Sequence, residues 1–145
     1  MNELRQTAAT YSARGWPVLP IVSGDKRPLV PGGVHAAGTD LEMISHWWTR
    51  WPDANVGIQT GKKSGLFVLD VDRPDGELSL EKICGEHGDL PRTVEAVTGG
   101  GGRHLFFQHP GQRIPNRAGL RPGLVIRGDG GYVPPQLELE KAFLR

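Results

Sequence analysis

Cysteine is nearly missing from this sequence, with Cys84 the only one in 145 residues. An internal disulfide and a multi-cysteine zinc site are therefore excluded, and Cys84 reads as a small buried apolar group. No apolar run approaches the roughly 18 residues that cross a bilayer, so a membrane-spanning helix and a membrane partner are excluded too. The N-terminus, polar and mixed in charge from Met1 to Gly15, lacks the apolar stretch of a secretory signal, which makes a cytoplasmic setting the expectation. There is no internal repeat and no low-complexity linker, and the length fits one domain.

Charge of one sign is also scarce overall, since the formal net charge is only +1, but it is unevenly spread. From Lys63 to Glu95 there are eight acidic residues against four basic ones. From Ala96 to Gly128 there is no acid, while Arg103, Arg113, Arg117, Arg121 and Arg127 all fall there. That stretch suits either an electrostatic footprint for phosphates or an ordinary solvated, arginine-rich loop.

With 21 glycines and 12 prolines, the elements should be short and separated by many turns. Glu3 to Arg14 has a helical pattern, with Leu4, Ala8, Tyr11 and Ala13 near one face and Gly15 and Pro17 stopping it. Trp16 to Val22 reads as a strand leading into a Gly-Asp-Lys turn. Thr39 or Asp40 can cap a second helix through Trp48. Trp47, Trp48 and Trp51 crowd its end, where they suit a core anchor better than a base-stacking platform. Val56–Gln59 and Leu66–Val71 read as strands joined by a polar turn, followed by a helix from Glu77 to Glu86. Further strands are expected at Thr93–Thr98, His104–Gln108, Leu124–Arg127 and around Tyr132. Neighbouring strands are close enough to pair as hairpins, which points to an α+β domain built on a largely antiparallel sheet.

Three segments can carry chemistry. In Gly65-Leu-Phe-Val-Leu-Asp70-Val-Asp72 a buried apolar run ends in two aspartates two residues apart. Strand side chains at i and i+2 share a face, so Asp70 and Asp72 can converge. Side by side they would repel unless a cation neutralised them, and hard carboxylate oxygens suit Mg2+ or Mn2+. The same ending also suits a strand that closes in a solvated turn. In Thr98-Gly99-Gly100-Gly101-Gly102-Arg103-His104, glycines such as Gly101 and Gly102 let a backbone approach a polyphosphate, and His104 could donate to a phosphate oxygen. A plain flexible hairpin is the competing reading. In Pro122 to Pro135, a short strand, a glycine turn and a return strand are expected, with Val125 and Arg127 on one side of the first strand. Arg127 could hold a triphosphate by paired hydrogen bonds or simply cover the turn. The turn at Thr60–Gly65 is not a Walker A loop, because only three residues separate Gly57 from Gly61 and Lys62 precedes another lysine. Nor does the run of glycines match G-x-G-x-x-G. His35, His46, His87 and His109 have no metal-ligand spacing among themselves and read as structural or exposed.

Taken in order, five pieces resemble one family. They are Gly15-Trp16-Pro17-Val18 followed by Lys26-Arg27-Pro28; Trp47-Trp48-x-x-Trp51-Pro52; Leu69-Asp70-Val71-Asp72; Gly-Gly-x-His104; and Arg127-Gly-Asp-Gly-Gly-Tyr132 with Pro134-Pro135. Together they are similar to the bifunctional DNA primase/polymerase N-terminal domain of the archaeo-eukaryotic primase superfamily, over nearly the whole chain. The resemblance implies an α+β, primase-like fold: a largely antiparallel sheet with flanking helices, in which an N-terminal α/β portion meets a portion related to the RNA-recognition fold. It implies residues 1–136 as the catalytic domain and residues 137–145 as a short charged tail, in keeping with a truncation end. It implies nucleotidyl transfer on a single-stranded DNA template, with Asp70 and Asp72 binding Mg2+ or Mn2+ and His104 contacting the incoming nucleoside triphosphate. Arg127, Lys26, Gly101 and Gly102 complete the expected nucleotide site. Arg113, Arg117 and Arg121 are the expected nucleic-acid contacts, and any helicase would lie on another domain or chain.

Two departures stand out. The family commonly carries a third acid two residues before the arginine of the Arg-Gly-Asp-Gly-Gly stretch, and that position is Val125; Asp129 is the candidate substitute metal ligand. The stretch from Tyr132 to Pro135 is also shorter than usual. An alternative reading follows, a nucleotide or single-stranded DNA binding module that keeps the fold with weakened catalysis.

Overall fold

The computed structural model describes residues 3–97 and 101–134. The expected tail at 137–145, Thr98, and the first two glycines of the four-glycine run lie outside the described residues.

The chain begins with helix α1 (Glu3–Ala13), strand β1 (Val18–Ile21) and helix α2 (Leu41–Arg50). Asp40 is the residue that caps α2, its side chain accepting from the Glu42 N–H at 2.9 Å. That satisfies one of the donors a helix start leaves unpaired. On α1 the buried positions are Ala8, Tyr11 and Ser12, so the stripe leans toward Ser12 rather than Ala13, which is exposed. The Ser12 hydroxyl is accommodated by donating to the Ala9 carbonyl.

Strands β2 (Asn55–Gln59) and β3 (Leu66–Val71) follow, then helix α3 (Asp75–His87). The remainder is β4 (Val94–Val97), β5 (Arg103–Gln108), β6 (Arg117–Arg121), β7 (Leu124–Arg127) and β8 (Tyr132–Val133). Every strand pairing among the described residues is antiparallel. The α+β class expected from the sequence is thus observed.

Neighbours in sequence pair at β1–β2 and β4–β5, as expected, and at β6–β7, but fail to pair at two places where the sequence suggests a hairpin. β2 and β3 do not form a hairpin with each other, and β8 does not return onto β7. Instead there are two sheets, a three-stranded one in the order β1-β2-β8 and a five-stranded one in the order β4-β5-β3-β7-β6. The connections β2–β3 and β7–β8 are both crossings from one sheet to the other. They run side by side: the Thr60 N–H donates to Gly131 O at 2.8 Å, and its hydroxyl donates to Gly128 O at 2.6 Å. Strand β6 was not expected, because its exposed Arg117-Ala-Gly-Leu-Arg121 has no apolar alternation to betray it.

Alternation along β3 sends its side chains to two cores. Leu66 and Val68 join Ala8, Tyr11, Ile44, Trp48, Val56, Ile58, Phe106 and Val133 in the larger one, beneath α1, α2 and the small sheet. Val71 joins Leu80, Leu105, Phe107 and Leu124 against α3, with Phe67, Leu69 and Cys84 packed on them. Trp47 and Trp48 are buried, and the Trp48 indole N–H donates to Ala54 O at 2.9 Å. They are core anchors. No helix among the described residues is long and apolar enough to cross a membrane.

Candidate active site

The ladder registers put four side chains in a row across the large sheet. Ala96 of β4 faces His104 of β5, His104 faces Asp70 of β3, and Asp70 faces Val125 of β7. Directly opposed residues of an antiparallel pair share a face, so these four point the same way. One pleat repeat along the strands the row becomes Val94, Phe106, Val68 and Arg127. Phe106 and Val68 there are completely buried. The polar pair Asp70 and His104 therefore sits at the edge of the core, where the apolar face of the sheet opens into a cleft.

That cleft encloses about 970 Å3 and is lined by Lys26, Asp70, Asp72, His104 and Arg127. Asn55, Asn116, Gly130, Gly131 and Tyr132 also contribute to its walls. Asp72, the first residue beyond β3, is exposed, and its N–H donates to Gly123 O at 2.9 Å. Behind it Gly76 of α3 meets Gly123 so closely that a Cβ on Gly76 would fall 2.4 Å from the Gly123 carbonyl oxygen. Only glycine allows that approach, and it fixes the strand exit that carries Asp72.

Asp70 is only 6% exposed. His104 Nε2 lies 3.6 Å from its Oδ1 and Arg127 Nη2 lies 4.0 Å from its Oδ2. Both distances suit ion pairing and are too long for hydrogen bonds. Oδ1 is accordingly a buried acceptor with no hydrogen-bond partner among the described residues. Burial pushes the Asp70 carboxyl up, but His104, Arg127 and Lys26 more than offset it and hold it below the ordinary value. Asp70 is thus an ionised carboxylate with an unused oxygen, facing the side-chain nitrogens of His104, Arg127 and Lys26.

An orphaned carboxylate oxygen beside a second carboxylate in one cleft fits a hard divalent ion. Asp70 and Asp72 would hold it. Among the described residues no three His, Cys, Asp or Glu side chains gather closely enough to form a metal cage. In the row, the position opposite Asp70 holds the hydrocarbon of Val125.

Asp129 does not make up the set. Its Oδ1 accepts from the Lys62 N–H at 3.0 Å and contacts His109 Nε2 at 3.1 Å, and its Oδ2 accepts from the Ile114 N–H at 3.0 Å. The carboxylate is occupied in tying loops together. Gly101 and Gly102 close the β4–β5 hairpin beside the site and are not among the residues lining the cleft. Arg113 and Arg117 are exposed at and before the start of β6, and Arg121 Nη2 lies 3.5 Å from Glu86 of α3. Arg103 is directed to the other face of the sheet. Its Nε contacts Glu77 at 2.6 Å and its Nη1 contacts Glu95 at 2.8 Å, which docks α3 on β4 and β5. It belongs to the fold rather than to a phosphate footprint.

A second groove of about 700 Å3 lies along α3, lined by Arg73, Glu77, Cys84 and Arg103 among others. Two of its charged groups satisfy each other, whereas the cleft keeps an unsatisfied acceptor. The cleft is therefore the stronger candidate.

Sequence reasoning missed Asn116 and Asn55. Asn116 follows Pro115 just ahead of β6, and nothing local distinguishes it from a solvated loop residue. In the structure its Oδ1 accepts from the Gly128 N–H at 2.8 Å and it forms part of the cleft wall. Lys26 is brought in by Tyr132, whose hydroxyl donates to the Lys26 carbonyl at 2.5 Å. Asp25 shapes the same turn by accepting from the Lys26 N–H.

No curated protein matches the chain. The model of the bifunctional DNA primase/polymerase N-terminal family matches residues 8–141, so the chain that builds this cleft belongs to that family.

Proposed function

We propose that the chain is a template-directed DNA nucleotidyltransferase, a primase and polymerase domain that uses Asp70 and Asp72 as its divalent-ion ligands. The observation that carries the reading is the buried, ionised Asp70 with an unused oxygen, in register with His104 and faced by Arg127 and Lys26. Family membership supports the same activity.

In this reading a nucleoside triphosphate enters between the two sheets. Arg127 presents its guanidinium fork to phosphate oxygens, which offers paired hydrogen bonds that a lysine cannot match. His104 donates to another phosphate oxygen, and Lys26 adds a mobile positive charge at the rim. A bound Mg2+ or Mn2+ would polarise the phosphoryl group and make the attacking hydroxyl more acidic, easing loss of its proton. The primer 3′-hydroxyl gives up its proton to solvent and its oxygen bonds the α-phosphorus, while the bond from that phosphorus to the α,β-bridging oxygen breaks and pyrophosphate leaves with that electron pair. A single-stranded template lies along the arginines at 113 and 117, and strand separation is left to a helicase domain or chain.

A second reading is favoured by Val125. With hydrocarbon beside Asp70 in place of a carboxylate, metal affinity falls while Arg127, His104 and Lys26 still hold nucleotide, which describes a weakened enzyme or a binding module. The deciding experiment is divalent-dependent incorporation of deoxynucleotides on a primed template by the parent chain and by Asp70→Asn. Incorporation lost in the variant supports the enzyme. Equal incorporation by both ends that reading, and nucleotide binding without incorporation in either selects the binding module.

A further inference from the structure

Asp129 and His109 are left unused by this chemistry, yet they form a densely hydrogen-bonded polar cluster behind the cleft. Asp129 stands in the β7–β8 crossing, and its carboxylate reaches two other segments. Oδ1 accepts from Lys62 in the β2–β3 crossing, and Oδ2 accepts from Ile114 in the β5–β6 connection. Its own N–H donates to Ile114 O at 2.6 Å, and Pro115 bridges to it in parallel fashion.

His109 completes the cluster. Its side chain is 2% exposed, with Nε2 at 3.1 Å from Asp129 Oδ1. The Gly111 N–H donates to Nδ1 at 3.1 Å. Because Nδ1 must offer a lone pair to that amide, the ring proton sits on Nε2 and points at the carboxylate. Burial raises the Asp129 carboxyl, but the Ile114 and Lys62 amides and then His109 bring it below its ordinary value. An ionised carboxylate is thus pinned by two backbone donors and one imidazole donor.

What this clasp fixes is the wall of the cleft. Once Ile114 is held, Asn116 two residues on accepts from the Gly128 N–H, and Gly128 directly follows Arg127. Gly131 is packed so tightly that a Cβ would lie 2.3 Å from Asn116 Oδ1 and 2.8 Å from Thr60 Oγ1. Asn116, Gly130, Gly131 and Arg127 all line the cleft, while Asp129 and His109 stand behind them.

We propose that Asp129, oriented by His109, is a positioning residue for the triphosphate-holding wall: it sets Arg127, Asn116 and Gly130–Gly131, and acts through them. The inference rests on reading the cleft as a nucleoside triphosphate site. It assigns Asp129 no contact with metal or nucleotide.

The test uses the full 145-residue chain. Binding of Mn2+ alone is measured by calorimetry, and binding of dATP in saturating Mn2+ is measured separately. Asp129→Asn keeps the size but loses the charge and turns an amide toward backbone donors. It should weaken dATP about tenfold or more and leave Mn2+ alone unchanged. His109→Leu should do the same. His109→Gln, whose amide can donate where Nε2–H does, should recover dATP binding to within about threefold of the parent. In a double-mutant cycle, Asp129→Asn should add little to Arg127→Ala, because the first acts through the second.

A loss of Mn2+ affinity in Asp129→Asn comparable to that in Asp70→Asn would make Asp129 a ligand and overturn the proposal. So would full additivity with Arg127→Ala, or unchanged dATP binding in a folded Asp129→Asn. Should Asp129→Asn fail to fold, the contrast between His109→Leu and His109→Gln decides alone. A parent chain that binds Mn2+ but no dATP overturns the nucleotide reading itself, which separates that failure from the failure of the clasp.

Discussion

Val125 stands directly opposite Asp70 across the β3–β7 ladder, on the face of the sheet that opens into the cleft. A side chain at that position touches whatever Asp70 holds, because directly opposed pairs bring their Cβ atoms within about 5 Å. Val125→Asp should therefore raise Mn2+ affinity and divalent-dependent extension. Without metal, two carboxylates face each other in a half-buried setting, and the variant should melt below the parent. Added Mn2+ should reverse that order. Melting curves with and without Mn2+ check the stability half, and primer extension checks the other. Activity unchanged by Val125→Asp would mean that the position does not reach the ion.

Asp70 makes a pH-dependent contribution to stability whose sign follows from its depressed carboxyl. The folded state releases this proton more readily than the unfolded chain, whose value is close to 3.8. The contribution is complete above that value and is lost as pH falls through the folded one. Urea midpoints followed from about pH 5 down to about pH 2 should fall more steeply for the parent than for Asp70→Asn. Asp25 and Asp129, also held low, contribute equally to both proteins. Parallel slopes would contradict the assigned environment.

Arg103 belongs to the α3 interface. Arg103→Ala should lower stability by roughly 1 kcal/mol, a modest loss for a partly exposed ion-pair network, and leave nucleotide affinity where it was. Equilibrium unfolding and dATP titration of one preparation read both. Weakened dATP binding with intact stability would return Arg103 to the phosphate footprint.

Trp48 is 1% exposed in the larger core and donates its indole N–H to Ala54. Trp48→Ala should cost about 3–5 kcal/mol, enough to leave much of the chain unfolded, as read by urea denaturation. A base-stacking role would instead show as weaker binding of single-stranded DNA with the fold unharmed.

Sequence by itself determined the elements other than β6, and the pair of carboxylates. The Leu66–Val71 run is bounded by Gly65 and ends in Asp70 and Asp72, so period-two projection and an abrupt change from apolar to acidic are both local properties. The cap at Asp40, the strand at Leu124–Arg127 and the shared side of Val125 and Arg127 were legible for the same reason. Only the tertiary structure decided which strands pair. Local pattern favours hairpins between neighbours, but β3 takes β5 and β7 on its two hydrogen-bonding edges, and β2 and β8 lie in a second sheet. That choice put His104 and Val125 on either side of Asp70. It turned Arg103 to the opposite face and drew Asp129 into a clasp with Lys62, His109 and Ile114. Register and loop-to-loop hydrogen bonds join residues far apart in the chain, and no window of sequence contains both partners.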